Sequence, residues 1–90
     1  MQIVKTKNEL RLLIATHKRA NKIIGLVATM GYLHQGHASL MELAHSQCDI
    51  LIVSIFINPL QFGANEDLDQ YPRDIASDTA LCQKNKVDIL

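Results

Sequence analysis

Ile23-Ile24-Gly25-Leu26-Val27-Ala28-Thr29 runs straight into Met30-Gly31-Tyr32-Leu33-His34-Gln35-Gly36-His37, and the passage from the first half to the second decides the fold. Ile23 to Ala28 is apolar except for one glycine and reads as a core strand that closes at Thr29. The second half carries Gly31 and then brings His34, Gly36 and His37 to where a helix is due. A junction of this kind aims backbone amides and the positive end of a helix at one point, a place suited to nucleotide phosphates.

Working outward, the next apolar run is Asp49 to Ile57. Seven of the eight residues from Ile50 to Ile57 are apolar and do not alternate, which is the pattern of a parallel strand covered on both faces. Between the two strands a helix is expected from about Gly36 to Gln47, with Leu40, Leu43 and Ala44 as its buried stripe. Ser39-Leu40-Met41-Glu42 offers a competing capping box that would start it later; the earlier start is favoured because it points amides at a phosphate. Upstream, Thr6-Lys7-Asn8-Glu9 is a capping box for a helix starting near Lys7, with Leu10, Leu13, Ile14 and His17 at helical spacing. Downstream, Asn58 to Arg73 reads as a long functional loop, Asp74 caps a helix over Ile75 to Asn85, and a further strand begins at Val87. Strands alternating with helices predict an α/β fold, a Rossmann-like parallel sheet with right-handed crossovers. Ligands then bind beyond the carboxyl ends of the strands, where Thr29 to His37 and Asn58 to Phe62 both fall.

The chain has 90 residues, enough for one small domain. It has nine basic and nine acidic side chains, a formal net charge of zero, and 48% hydrophobic residues. A zero balance without a basic cluster argues against a nucleic-acid surface. The apolar runs are too short to span a bilayer, and Met1-Gln2-Ile3-Val4-Lys5 does not read as a signal peptide, so a cytoplasmic protein without a membrane partner is expected. Cys48 and Cys82 lie in apolar surroundings without Cys-x-x-Cys spacing and read as buried reduced thiols.

The spacing His34-x-Gly36-His37 resembles the signature of the nucleotidyltransferase superfamily, whose members activate substrates by attack on the α-phosphate of ATP. The wider string Thr29 to His37, with Ser54-Ile55-Phe56-Ile57-Asn58-Pro59-Leu60-Gln61-Phe62 and Asn65 to Arg73, is similar to the pantoate–β-alanine ligase family over essentially the whole chain. Because that family's chains are several times longer, the resemblance marks residues 1–90 as the amino-terminal portion of a Rossmann-like nucleotide-binding domain. It implies ATP-dependent condensation of pantoate with β-alanine through pantoyl adenylate, with release of AMP and pyrophosphate, in a homo-oligomer. A separate portion of this size is expected to be inactive.

By the same resemblance His37 is the catalytic proton donor and His34 contacts ATP phosphates. Met30, Gly31, Tyr32, Leu33, Gln35 and Gly36 complete the ATP site. Gln61 holds pantoate and β-alanine, Asn58 supports it, and Met30 also lies near pantoate. The chemistry suits these residue types. Imidazoles can donate to oxygens that gain charge as pyrophosphate leaves, a glycine lets backbone approach closely, and an amide side chain both donates and accepts. Two positions depart from the family: Ala28 stands where proline is usual, and Tyr32 replaces a commonly smaller residue.

Other readings of the same residues are an ordinary helix-start histidine pair or a metal pair. Zinc is disfavoured because no third ligand of suitable spacing is apparent. No protein metal site is expected, magnesium arriving on the ATP phosphates; Glu66, Asp67 and Asp69 read as a solvated acidic loop. His17 and His45 read as solvated or half-buried. A different nucleotidyltransferase, or a non-catalytic nucleotide-binding module, are the competing functions. A dinucleotide fold is excluded because no Gly-x-Gly-x-x-Gly follows either strand.

Overall fold

The computed structural model describes residues 1–56 and 74–90. Among these residues three helices and two strands follow in the order α1 (Lys7–Arg19), β1 (Ile24–Thr29), α2 (Gln35–His45), β2 (Ile50–Ile55) and α3 (Ile75–Lys84). Asn58, Gln61 and the acidic cluster of Glu66, Asp67 and Asp69 lie outside the described residues.

α1 begins as its sequence dictates. The Thr6 hydroxyl accepts from the Glu9 amide at 3.2 Å and donates to the Glu9 carboxylate at 3.3 Å, satisfying an end that has no helical partner of its own. Leu10, Leu13, Ile14 and His17 are its half-buried face. It stops where Asn21 turns left-handed at φ 60°, a conformation asparagine tolerates after a helix.

β1 and β2 pair in parallel, from Ile24 opposite Ile50 to Thr29 opposite Ile55. On the far side of β2, Val53 donates to the Ile89 carbonyl at 2.9 Å, and Leu90 and Gln2 continue the ladder outward. The two named strands therefore lie in an α/β frame whose hydrogen bonding extends to both ends of the chain, as the alternation of elements predicts. The strand expected from Val87 is present as isolated parallel bridges of Ile89 to Ile52 and to Gln2. Leu51, Ile52 and Val53 are all buried, the continuous apolar run of a strand covered on both faces.

The core gathers Val27, Met41, Leu51, Val53, Cys82 and Val87. Here one expectation fails. Leu40 and Leu43 are 53% and 58% exposed, whereas Ala38 and Met41 are the buried residues of α2; of the expected stripe only Ala44 packs against the core. α2 starts at Gln35, and its first turn is tied back to the preceding loop. The face turned inward is Ala38, Met41 and Ala44, at three-residue spacing. Ser39 does not cap; its hydroxyl donates to the Gln35 carbonyl one turn back, at 3.2 Å.

Both thiols are free, Cys48 half-buried and Cys82 fully buried. Burial first, and then the Asp78 charge, push the Cys82 thiol up to about 11, so it is an unreactive packing group.

Candidate active site

Thr29 ends β1 and starts the loop that makes the site. Its buried hydroxyl donates to the Ser54 carbonyl on β2 at 2.9 Å and accepts the Gly31 amide at 3.1 Å. One side chain thus joins the two strand ends and folds the chain back on itself. Gly31 then adopts φ +84° and Tyr32 φ +51°. The first is ordinary for glycine; the second costs a side-chain-bearing residue about 1 kcal/mol.

The Asp78 carboxylate, on the first turns of α3, meets this turn from below. Its Oδ2 accepts the Tyr32 amide at 2.9 Å and its Oδ1 the Leu33 amide at 2.7 Å. Only 3% of Asp78 is exposed. A carboxylate buried to that degree is tolerable because both oxygens are bonded. Sequence reasoning did not single out Asp78. Its signal was an acid three and four residues before the apolar Leu81 and Cys82, on the face of α3 that must pack inward.

His34 is the residue before α2 and caps it. Its Nδ1 accepts the Gly36 amide at 3.0 Å, while the His34 amide donates to Nδ1 of His37 at 3.2 Å. The two imidazoles thereby form a reciprocal cap, with ring centres 4.3 Å apart and planes inclined at 53°. Each Nδ1 accepts from a backbone N–H, so each neutral ring carries its proton on Nε2. Both histidines are left with an Nε2–H to offer outward.

Gly36 has a further reason beyond close approach of a ligand. A methyl group there would lie 2.8 Å from Cε1 and 3.0 Å from Nδ1 of His34, inside the space the capping ring occupies. Its amide is turned to that ring. Replacing Gly36 by alanine should change stability by less than about 1 kcal/mol, because the gain in helix propensity and the loss of the cap are similar in size. The nitrogen NMR signal of His34 Nδ1 should nonetheless leave its hydrogen-bonded position.

His37 is harder to protonate than an ordinary histidine. Desolvation lowers its pKa most and the nearby His34 lowers it further, while Asp78 opposes both. The unfolded chain therefore takes up a proton first as pH falls through the ordinary value of 6.5. The stabilisation from keeping His37 neutral is complete above that value and is lost as pH falls through the lower folded one. Melting curves recorded from pH 7.5 to 5 should show a fall in stability that is smaller in a His37→Ala protein.

An open cleft of about 700 Å³ lies over these groups, within the range of small-molecule sites. Met30, Gly31, Tyr32, His34 and His37 line it, joined by Ala28, Thr29, Ser54 and Phe56 from the ends of both strands. Leu33, Gln35 and Gly36 do not line it: Leu33 packs against the core, and Gln35 and Gly36 are exposed at the start of α2. Ser54 and Phe56 were quoted in the second motif but not picked out as site residues. Their signal was position alone, at the carboxyl end of the second strand.

Residues 2–90 match the family model described as pantoate-beta-alanine ligase. The chain belongs to the pantoate–β-alanine ligase family. Pantothenate synthetase of Brucella anthropi is 56% identical over 90 residues, all of this chain and 31% of that protein; its counterpart in Agrobacterium fabrum is 59% identical over the same coverage. Among solved structures, pantothenate synthetase from Thermus thermophilus superimposes with a TM-score of 0.87 at 47% identity, again over all of this chain and 31% of the other. A pantoate-beta-alanine ligase from Francisella tularensis, complexed with beta-gamma ATP and beta-alanine, gives 0.83 at 36% identity, over all of this chain and 34% of that one. The chain spans about a third of the length of the curated relatives it matches.

Proposed function

We propose that the protein carrying this chain joins pantoate to β-alanine at the expense of ATP, and that residues 1–90 supply the adenylate-forming half of its site. In the first step a pantoate carboxylate oxygen attacks the α-phosphorus of ATP. The bond to the bridging oxygen breaks, leaving pantoyl adenylate and pyrophosphate. In the second, the β-alanine amine attacks the acyl carbon and AMP departs, the amine's proton passing to solvent or a base. The mixed anhydride is prone to hydrolysis, so the site must exclude water during both steps.

The observation that carries this reading is the reciprocal histidine cap at the mouth of a cleft between two parallel strand ends, in a chain of the pantoate–β-alanine ligase family. Adenylyl transfer needs fixed donors where charge develops, on the α-phosphate oxygens and the departing pyrophosphate. Nε2–H of His37 and of His34 are such donors, and neutral rings need no proton uptake to act. Gly31 and Tyr32 would line the nucleotide part of the cleft, with Leu33, Gln35 and Gly36 supporting from behind. Met30 would touch pantoate, and Gln61 with Asn58 would recognise pantoate and β-alanine.

Asp78, whose charge acts on His37, has both oxygens engaged by backbone amides and would not be a metal ligand. Magnesium would therefore enter on the ATP phosphates. No described helix is long and apolar enough to cross a membrane, and a cytoplasmic location fits that.

The test is direct. Full-length protein given ATP and pantoate should release pyrophosphate, and AMP should follow on adding β-alanine. Pyrophosphate release that does not depend on pantoate would point to another nucleotidyltransferase; none at all would point to a binding module. A second measurement addresses Gln61: the Gln61→Ala protein should bind pantoate about tenfold more weakly, the loss expected for one hydrogen bond to a charged ligand, with ATP affinity unchanged by calorimetry. Collapse of ATP binding instead would place Gln61 in the nucleotide site.

A further inference from the structure

The histidines are presented by a turn that neither of them controls. Between Thr29 and His34 the chain passes through two consecutive left-handed residues, Gly31 and Tyr32. Tyrosine does not choose that conformation unaided. The two amides that follow the bend, those of Tyr32 and Leu33, are both captured by one carboxylate on another element, Asp78 of α3, at 2.9 and 2.7 Å. The carboxylate is itself buried, at 3% exposure, and its Oδ2 lies 3.3 Å from where a methyl group on Gly31 would sit. It therefore holds the two residues that lead into His34 and closes off the space beside Gly31.

We propose that Asp78 is a positioning residue for the candidate active site: by holding the Tyr32 and Leu33 amides it fixes the left-handed turn that presents His34 and His37. The carboxylate acts through the loop, not on a ligand, because both of its oxygens are committed. Asparagine cannot replace it. It offers one oxygen and one NH₂, so one of the two amides would face a donor and lose its partner. The bend would then relax toward conformations that tyrosine prefers, and His34 would leave the place from which it caps α2.

The hold of Asp78 on the turn is independent of the reaction; only the kinetic measurement rests on the ligase reading. Three measurements test it in the full-length protein. In the unaltered protein the Tyr32 and Leu33 amides should exchange with deuterium as slowly as amides inside α2. In Asp78→Asn the methyl spectrum of the core should persist, while those two amides lose protection and the His34 and His37 nitrogens change from one Nε2–H form to an exchanging mixture. Pantoyl-adenylate formation should fall about a hundredfold, the effect expected for reacting groups misplaced by an ångström, with a smaller change in KM for ATP. Adding Tyr32→Gly should restore part of that rate, because glycine keeps a positive φ without being held; a loss due only to poorer packing around α3 would not be restored by this change.

Fast exchange of Tyr32 and Leu33 in the unaltered protein would overturn the proposal even if Asp78→Asn failed to fold. So would an Asp78→Asn protein with unchanged imidazole signals, or one whose amides open while its rate stays normal. If the unaltered protein forms no adenylate, the ligase reading fails, and the exchange and imidazole measurements still decide whether Asp78 holds the turn.

Discussion

His37→Ala should slow pantoyl-adenylate formation about a hundredfold, the usual cost of removing one placed donor from a site where charge develops. Two things are lost at once. On the ligase reading Nε2–H would no longer be there to meet the phosphate oxygens, and the His34 amide loses the Nδ1 that accepts it at 3.2 Å. A second substitution separates them. Glutamine at position 37 can accept the His34 amide, as the third residue of a capping box does, but cannot put an N–H where Nε2 stood. His37→Gln should therefore recover most of the roughly 1 kcal/mol that the lost cap bond costs and remain slow. Single-turnover formation of the adenylate, with thermal melts on the same proteins, checks both halves. A His37→Ala protein with a normal rate would remove His37 from the chemistry, and a fast His37→Gln protein would show that capping is its whole role.

What could be read from residues alone was what is local. The Thr6-to-Glu9 capping box, the Asp74 cap, whose side chain accepts the Ser77 amide at 3.0 Å, and the unalternating β2 run each announce themselves within a few positions, and each is found as expected. The two histidines were also legible, as a spaced motif at a helix start, although their capping of α2 was not. Three other features were not. The rotation of α2 could not be read from its leucines, since it is Ala38 and Met41 that turn inward while Leu40 and Leu43 stay out. The role of Asp78 depends on partners 45 and 46 positions away, and no local pattern records so distant a contact. Gly36 was legible as a place of close approach, but the approaching group in this structure is the ring of His34.

The largest effect on stability should come from Gly31. Its φ of +84° and its burial leave no room for a side chain, and an added methyl carbon would sit 3.0 Å from Cγ2 of Ile55 and 3.3 Å from Oδ2 of Asp78. Neither neighbour can move away cheaply: Ile55 is paired in the sheet opposite Thr29, and Asp78 is held by two amides. Left-handed strain and crowding together should make Gly31→Ala about 3 kcal/mol less stable. That is a sizeable part of the roughly 5–15 kcal/mol that holds an ordinary domain together. Tyr32 supplies the internal comparison. It is also left-handed, at φ +51°, but it already bears a side chain and is 59% exposed. Tyr32→Ala therefore adds no backbone strain, removes little buried surface, and should cost less than about 0.5 kcal/mol. Urea unfolding of the two proteins measures the contrast. Equal losses would mean that the turn at Gly31 is not held between Ile55 and Asp78, and that the histidines are presented by some other constraint.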